Sequence, residues 1–509
     1  WNANAALYYT RSFNKHNLNL SVAWEASSGS SDATNVHYRG FPSGQFHSSN
    51  YAAEIYEKPS RTEGTSRMVS AWATGNYTWN DIYLADFSVR FDGSSDFGSK
   101  QRWAPFFSGG LGVNIHNYEF LKGNEMVNKL KVRASYGRTG KASFPAYAAT
   151  TMYEALFDEW YATGFGAVLK ALGNNNLTWE KTDKFNVGIE MQFLNRRLTV
   201  DADYYHDKTI DLVNDVSLSQ TSGFSSYKDN MGEVLNQGFE LQVRGEVFRN
   251  RDWLVALWGN MAHNKNKILK ISDSQRAYNQ RVKEFYENIV NEEYGRYNSK
   301  YGVPISQYEE GQSLTSIWAV KSLGIDPTTG KEIFLNRDGS VSDTWNATQE
   351  VAVGNTEPKF NGSIGFNAAY KQWSLFAAFQ YEWGGQEYNQ TLVDRVENAR
   401  IQYQNVDLRV LTDRWKQPGD IAQFKDIKNA DSATMPTSRF VQDKAYLRLS
   451  ALTLSYDFNR EWIKKYLGMN MLRLEASTRD FINWNSIRQE RGLSYPKSWT
   501  VDFSIKAQF

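Results

Sequence analysis

Strict alternation of apolar and polar residues is the feature that most constrains the fold of this chain. Between positions 184 and 193, one set of side chains is Phe185, Val187, Ile189, Met191 and Phe193, and the other is Lys184, Asn186, Gly188, Glu190 and Gln192. Successive side chains of an extended strand point to opposite faces, so this period of two creates one apolar and one polar face. A helix would mix the two sets on every side. The segment is therefore predicted to be a β-strand between two different environments.

The same pattern recurs along the chain, and short polar turns join many of the repeats. After one such turn, a second strand places Asp201 and Asp203 on its polar face. We predict about fifteen strands of roughly ten residues, the length that crosses a bilayer when tilted. Other polar faces carry Arg244, Glu246 and Lys506, which the packed core of a soluble sandwich would exclude. The predicted fold class is therefore all-β, an antiparallel transmembrane β-barrel.

Composition agrees with this fold class and excludes several kinds of function. Aromatic residues make up 15% of the 509 residues, yet the mean hydropathy is −0.59. No apolar run approaches the ~18 residues that a membrane helix needs. Because cysteine is absent, disulfides, thiolate metal sites and a cysteine nucleophile are excluded. The 57 basic and 56 acidic residues nearly cancel, so no overall field favours a nucleic-acid partner.

The connections between the predicted strands fall into two length classes. Some turns are only a few residues long, as near Asn80 and Asn195, whereas four segments are far longer: 27–65, 139–181, 264–358 and 385–438. Outer-membrane barrels combine short periplasmic turns with long external loops, so we expect these four segments to be extracellular. Helical stretches are expected at 282–291, within one of these loops, and at 461–465, within a turn.

Residues that could support catalysis or bind a metal are scattered. None of the six histidines lies in a metal-ligand spacing: His16, His37, His47, His116, His206 and His263. Asp201 and Asp203 are a carboxylate pair, but charges on the inner wall of a barrel are the better explanation. Gly109, Gly110 and Gly112 lie within a strand and therefore do not form a phosphate-binding loop. We predict no catalytic residue, no metal site and no cofactor, and we do not expect an enzyme.

Several short strings occur in the order that is typical of SusC-like (SusC/RagA) importers. They include Trp179-Glu180, Asn236-Gln237-Gly238-Phe239, Gly324-Ile325-Asp326-Pro327, Arg414-Trp415 and Tyr446-Leu447-Arg448-Leu449. Each string is weak alone, but their joint order over residues 103–509 is specific. The chain therefore resembles the C-terminal barrel portion of a SusC-like, TonB-dependent outer-membrane transporter. It departs from many members of that family at residues 488–492, where those relatives carry an Asp-Pro-Glu-like element and this chain does not.

The resemblance implies a barrel of roughly 22 strands, so the first strands, roughly seven, an N-terminal plug and the TonB box are expected upstream of Trp1. It also implies active import of a nutrient, an oligosaccharide or a peptide, coupled to the TonB–ExbB–ExbD complex. A SusD-like surface lipoprotein is expected to close over the mouth as a lid. Two alternatives remain: a passive outer-membrane porin, which would need no plug, and an adhesin or enzyme, for which no nucleophile and base are visible.

Ligand contacts are expected in the long loops. The candidates are aromatic and guanidinium side chains that could stack on sugar rings or pair with peptide groups: Trp160, Tyr161, Tyr388, Arg395 and Trp415. For each of these residues, the competing interpretation is packing within the loop or contact with a partner protein.

We expect the last strand to carry the signal for membrane insertion. The side chains of one face are Trp499, Val501, Phe503, Ile505, Ala507 and Phe509, so an aromatic residue ends the apolar face. This pattern resembles the terminal signal that barrel-insertion machinery recognises. Deletion of Phe509 should lower the amount of folded protein in the outer membrane much more than the transport per folded molecule. Quantitative immunoblotting of membrane fractions tests this, and equal amounts with and without Phe509 would contradict it.

Overall fold

The computed structural model describes residues 1–44, 48–97, 102–141, 149–174, 176–217, 226–230, 232–291, 302–399, 406–429, 434–458, 460–487 and 500–509. No helix in these ranges is both long and apolar enough to cross a membrane. Regular structure is mostly β, and three α-helices accompany it: α1 (Asp273–Asn291), α2 (Arg409–Thr412) and α3 (Arg460–Leu467). The helices predicted near 282–291 and 461–465 are therefore confirmed, although α1 begins at Asp273, before its predicted start.

The strands of the first half are β1 (Asn2–Phe13), β2 (His16–Asn35), β3 (Tyr38–Arg39), β4 (Glu54–Ile55), β5 (Ser60–Trp79), β6 (Tyr83–Ser94), β7 (Trp103–Asn114), β8 (Val127–Lys141), β9 (Met152–Tyr161), β10 (Gly164–Ala171), β11 (Glu180–Phe193), β12 (Leu198–Ile210), β13 (Val213–Ser217), β14 (Ser226–Asn230) and β15 (Glu233–Arg249). Those of the second half are β16 (Trp253–Lys270), β17 (Ser316–Ala319), β18 (Lys321–Ile325), β19 (Glu332–Leu335), β20 (Val341–Ser342), β21 (Val351–Asn355), β22 (Phe360–Tyr370), β23 (Trp373–Tyr388), β24 (Val441–Asp457), β25 (Met471–Thr478), β26 (Asn483–Asn485) and β27 (Val501–Gln508).

One 16-stranded sheet contains the long strands. Its order is β1-β2-β5-β6-β7-β8-β11-β12-β15-β16-β22-β23-β24-β25-β27, and the short β26 pairs with β24. Each strand thus lies beside the next long strand in the sequence, in antiparallel pairs such as β15–β16 and β22–β23. This is the topology of a meander, in which every connection links neighbours. The predicted all-β, antiparallel fold class and its strand count are confirmed.

Several strands extend into segments that the sequence assigned to loops. The pair β2–β5 continues without a break from His16 opposite Trp79 to Asn35 opposite Ser60. The connection that remains is therefore 36–59 rather than 27–65. The part of the β2–β5 pair next to this connection shows no alternation of apolar and polar residues. The side chains there are exposed on both faces of the strands, so neither face is apolar. Backbone pairing requires no apolar side chain where both faces are exposed.

Short hairpin turns use left-handed backbone conformations. Asn80 and Asp81, between β5 and β6, have φ of 55° and 56°. Two successive positive φ angles are the requirement of a type I′ turn, whose twist matches that of antiparallel strands. Asn and Asp tolerate this conformation better than other non-glycine residues. The short turn predicted near Asn80 is therefore explained by local backbone chemistry.

The described chain divides into two compact units. The first contains Trp1–Leu111, Ser135–Lys184 and Thr209–Met231. Its buried cluster is Phe97, Ala104, Phe106 and Trp179. The indole of Trp179 stacks on Phe97 with ring centroids 4.2 Å apart and meets the edge of Phe106 at 5.5 Å. Trp179, one of the residues that carried the family resemblance, is thus a packing residue of this unit.

The second unit contains Gly112–Ala134, Phe185–Lys208 and Gly232–Phe509. Its strands expose large apolar side chains on one face, including Leu257, Ile364 and Phe503, the last of them 82% exposed. On β11 the opposite face carries Glu190, which accepts from Lys129 at 2.5 Å. Contiguous exposure of apolar side chains along many strands is costly in water and favourable in hydrocarbon.

The two faces of these strands give a labelling prediction. The residues expected to face lipid are Ile189, Met191, Val243 and Phe503. Those expected to face the barrel interior are Glu190, Arg244, Asp502 and Lys506. Only this assignment of the two strand faces keeps charge out of hydrocarbon. The native chain has no cysteine, so single-cysteine variants report one position each. A lipid-soluble maleimide should label the first group and a water-soluble maleimide the second. Labelling of the first group by the water-soluble reagent and of the second by the lipid-soluble reagent would contradict the assignment.

Candidate ligand- and partner-binding region

Two long connections of the second unit fold together into one module. We call it the loop module; it comprises residues 271–291, 302–358, 389–399, 406–429 and 434–440. Val320 from the first connection pairs in parallel with Thr437 from the second. The amide of Val320 donates to the carbonyl of Pro436 at 3.2 Å, and the amide of Ser438 donates to the carbonyl of Val320 at 2.9 Å. The two connections are therefore joined by main-chain hydrogen bonds.

The loop module has hydrophobic cores of its own. One cluster consists of Leu392, Val393, Val396, Ala399, Val410, Phe424 and Phe440. A second consists of Val282 and Tyr286 from α1 together with Ala347 and Met435. Each fully buried aliphatic or aromatic side chain contributes roughly 1.5–3 kcal/mol relative to exposure. The described residues of these two connections therefore form an ordered structure.

A buried ion network lies beside the first cluster. The Arg439 guanidinium contacts Glu332 at 2.8 Å and Glu397 at 2.6 Å, and the Glu397 side chain is completely buried. The Thr437 hydroxyl also donates to Glu332, at 2.6 Å. Burial by itself would lower the pKa of Arg439, but the two carboxylates outweigh it and hold that pKa above its ordinary value. The network connects residues from both long connections.

Arg414 and Trp415, a pair from the family resemblance, are both buried. Arg414 donates to the carbonyls of Lys425 at 2.8 Å and Glu397 at 2.9 Å. The Trp415 indole Nε1 donates to the carbonyl of Pro327 at 2.9 Å. A Cβ added to Gly330 would lie 2.5 Å from the indole ring, so the turn between β18 and β19 rests directly on it. Trp415 is therefore placed to hold that turn, with 8% of its surface exposed.

Tyr388 and Arg395 lie close in sequence but in different settings. Tyr388 ends β23 and packs edge-on against Phe440, with ring centroids 6.0 Å apart, at the margin of the first cluster. Arg395 lies in the π-helical segment Leu392–Glu397, whose buried residues include Leu392 and Val396. Tyr388 thus belongs to the packing of the loop module, while Arg395 is only partly buried.

The remaining candidates lie elsewhere. Trp160 and Tyr161 belong to the first unit, where β9 pairs Trp160 with Phe165 and Tyr161 with Gly164; their side chains lie outside the described part of the structure. Phe509 follows β27 and is 79% exposed, and Val501, Phe503 and Ile505 on the same face of β27 are also exposed. The five ligand candidates are thus divided between two units, and three belong to the loop module or its margin.

The loop module contains a pocket that sequence reasoning missed. Its volume is about 340 Å³, and its lining is Glu287, Asn336, Ser342, Thr344, Trp345, Asn346, Ala347 and Gln349. This volume is at the lower end of the ~300–1,000 Å³ range of ligand pockets, so the pocket could hold a small molecule. The signal available in the sequence was a tryptophan flanked by hydroxyl and amide residues within a long loop. Only the tertiary structure brings Glu287 of α1 into the lining of the same pocket.

A buried carboxyl group follows the pocket residues in the sequence. Glu350 follows Gln349 and has no exposed surface. Burial raises the pKa of Glu350 to about 8, while a hydrogen bond from Gln307 opposes the shift. Gln307 Nε2 donates to Glu350 at 2.5 Å. A carboxyl group in such an environment retains its proton near neutral pH.

The polar strand faces of the second unit carry an ion-pair ladder. Glu190 contacts Lys129 at 2.5 Å, Lys131 at 3.3 Å and Arg133 at 3.4 Å. Arg133 continues to Asp203 at 2.6 Å. Asp203 is therefore neutralised by a cation across the strand face, and this pairing agrees with its interpretation as a wall charge.

In the ranges that the structure describes, no metal-binding arrangement occurs, and several histidines there have other partners. No group of three or more His, Cys, Asp or Glu side chains there could hold a metal ion. His16 bonds to Tyr77, His37 to Glu57 and His263 to the carbonyl of Lys359, each far apart in sequence. His47 lies outside the described residues.

Comparison with known proteins places these features in a family context. The sequence model of the family described as TonB dependent receptor-like, beta-barrel, matches residues 2–477. TonB-dependent receptor P3 of Formosa agariphila is 26% identical over 486 residues, which are 94% of this chain and 47% of that receptor. TonB-dependent receptor SusC of Bacteroides thetaiotaomicron is 31% identical over 296 residues, 53% of this chain and 28% of SusC. The chain spans about half the length, or less, of these curated relatives.

Solved structures share the fold. The RagAB peptide importer in its open-open state matches with a TM-score of 0.81 at 22% identity, covering 100% of this chain and 54% of that chain. The same importer in its closed-closed state matches with a TM-score of 0.78 at 23% identity, covering 95% and 52%. At this identity the comparison describes the fold.

Substitution of Arg439 by Met should destabilise the loop module by roughly 3–5 kcal/mol, because Glu332 and Glu397 would remain buried without their cation. Hydrogen exchange of the amides of β17, β18 and residues 389–399 measures the free energy of local opening. The matched control is Arg276→Met, whose partner Glu310 lies at 3.3 Å on an exposed surface, and its effect should be at most ~1 kcal/mol. Equal protection in both variants would contradict the structural role of the network.

Proposed function

Because this chain belongs to the TonB-dependent receptor β-barrel family, and is an outer-membrane protein, we propose that it takes part in active nutrient import with energy delivered through TonB. The match to the family over residues 2–477 is the observation that carries the proposal. The cargo is an oligosaccharide or a peptide. In this role the chain is a transporter component, and it catalyses no reaction.

The sheet itself supports the proposal that further strands complete a barrel. In the described sheet β1 and β27 each have one neighbour, and all 12 residues of β1 are exposed. An unpaired strand edge within hydrocarbon leaves N–H and C=O groups without partners, at several kcal/mol for each group. We therefore place additional strands and a plug domain in the complete transporter. The length of the curated relatives, about twice the matched part, supports this.

We propose that the long connections predicted at 27–65, 139–181, 264–358 and 385–438, the first of which is 36–59 in the folded chain, face the cell exterior and receive a SusD-like lipoprotein lid. The loop module is an ordered platform, and long ordered loops normally carry binding function. Three of its aliphatic side chains are highly exposed: Leu408, Leu411 and Ile421. Exposed apolar side chains outside membrane-spanning strands favour a protein partner. In the proposed cycle a lid opens, closes over cargo, and TonB then permits release inward. The open-open and closed-closed states of the RagAB peptide importer support the opening and closing steps.

The three ligand candidates with described side chains differ in their contacts: Tyr388 and Trp415 pack within the loop module or at its margin, and Arg395 is partly buried. We propose that Trp160, Tyr161 and Arg395 contact cargo or lid, and that Tyr388 and Trp415 act by holding the loop module in shape. The packing of Trp415 on Pro327 and Gly330 supports that division. Phe509 retains its proposed role in membrane insertion, supported by its exposed position on the apolar face of β27.

Purification of the full-length protein from its native membrane in mild detergent should yield a lipoprotein partner. Replacement of Leu411 and Ile421 by Glu should reduce co-purification by roughly tenfold, because charge would be buried at the interface. The control is Leu194→Glu, an exposed apolar residue in the short turn between β11 and β12, which should leave co-purification unchanged.

Uptake in a strain without TonB separates the importer from the passive porin. Active import predicts that accumulation of cargo against its gradient stops, whereas a porin continues to equilibrate solute. If the barrel purifies alone and uptake survives the loss of TonB, the porin interpretation replaces the importer.

A further inference from the structure

The pocket of the loop module has a distinctive chemical lining. It combines one indole ring, one carboxylate, three amide side chains and two hydroxyls: Trp345, Glu287, Asn336, Asn346, Gln349, Ser342 and Thr344. No arginine or lysine occurs among its described lining residues, and the only other one is Ala347. The pocket therefore offers hydrogen bonds and one flat aromatic surface, with neither a cationic anchor nor an aliphatic recess.

The orientation of the aromatic wall is fixed by its surroundings. The indole Nε1 of Trp345 donates to the carbonyl of Pro436 at 2.9 Å. Tyr286 meets the ring edge-on, with centroids 5.5 Å apart and planes at 71°. Trp345 thus joins the second hydrophobic cluster at one edge and lines the pocket with another part of its surface. A ring held in this way binds a flat ligand without further loss of side-chain freedom.

Polar groups of both types remain available in the pocket. The amide oxygen of Asn346 accepts from the amide and the hydroxyl of Thr348, at 2.9 and 2.8 Å. The Asn346 amide nitrogen has no acceptor among the described residues, so it is free to donate. Glu287 is exposed near the end of α1 and makes no hydrogen bond or ion pair within the described ranges, so its carboxylate is free to accept. The pocket lining therefore contains both a free donor and a free acceptor.

We propose that this pocket binds a sugar ring of a neutral oligosaccharide. A pyranose presents an apolar C–H face that stacks on an indole, and hydroxyls around its rim that both donate and accept hydrogen bonds. An acidic sugar would meet the Glu287 carboxylate without a compensating cation. A peptide would find no recess for apolar side chains. The inference rests on the proposed import function and deepens it, because it names the substrate class and the residues of the loop module that select it.

Calorimetric titration of the full-length protein in detergent tests the site. The probes are maltohexaose, mannohexaose, xylohexaose and cellohexaose as neutral glycans, oligogalacturonate as an acidic glycan, and a tryptic peptide mixture. At least one neutral glycan should bind. Asn346→Asp retains the oxygen that caps residues 347–349 and removes the donor, and Glu287→Ala removes the acceptor. Each should weaken binding about tenfold or more.

Glu284→Ala is the matched control, because Glu284 is an exposed carboxylate one helical turn from Glu287 and does not line the pocket. It should change the affinity less than twofold. Hydrogen exchange of the loop module, unchanged in all three variants, excludes misfolding as the cause of lost binding. The pocket assignment is overturned if no neutral glycan binds, if only the acidic glycan or peptides bind, or if Asn346→Asp and Glu287→Ala bind like the native protein.

Uptake by strains with and without TonB, measured for the native protein and the two pocket variants, separates a failure of the pocket assignment from a failure of the proposed import function. Neutral-glycan binding that requires Glu287 and Asn346, without TonB-dependent uptake, supports the pocket and overturns the importer. TonB-dependent uptake of peptides alone, with glycan affinity unaffected by either variant, overturns the pocket and supports the importer. Loss of the lipoprotein partner in Glu287→Ala and Asn346→Asp, with no glycan affinity in the native protein, identifies the pocket as a docking surface and overturns the sugar assignment.

Discussion

Hydrocarbon offers no water to a backbone N–H or C=O, and the antiparallel ladder is the interaction that meets this constraint. Each long strand pairs with the next, and β2 pairs with β5 over 20 residues. Because the backbone is satisfied by pairing alone, the two side-chain faces are free to differ. One face presents residues such as Leu257 and Ile364, and the other holds the ion pairs of Glu190 and Arg133. The alternation of the sequence follows from this division.

The loop module depends on the same ladder, because strands β16, β22, β23 and β24 fix the ends of its two connections. Between those ends, the Arg439 network joins Glu332 of one connection to Glu397 of the other. A buried ion network adds little net stability compared with apolar packing, but an incomplete one is strongly unfavourable. It therefore penalises any arrangement that separates the two connections, and it favours one arrangement of the surface that they present.

A fixed loop surface is an advantage for the import function proposed above. The pocket around Trp345 and the exposed side chains of Leu411 and Ile421 belong to one folded platform, so cargo and lid would meet surfaces that do not have to order first. Binding to preorganised groups avoids the entropic cost of ordering. The role proposed for Trp415 is consistent with this, because its indole supports the β18–β19 turn from below the surface.

The sequence by itself determined the all-β class, the approximate strand count and the family, because period-two alternation and the order of short strings are local properties. It placed Phe185–Phe193 and the helices α1 and α3 correctly for the same reason. It did not determine where β2 and β5 end, since polar strands exposed on both faces carry no alternation. It also chose Trp415 for surface contact and passed over Trp345 and Glu287. Exposure and pocket geometry depend on contacts between residues tens of positions apart, such as Trp345 with Pro436 and Trp415 with Pro327, and only the tertiary structure decides them.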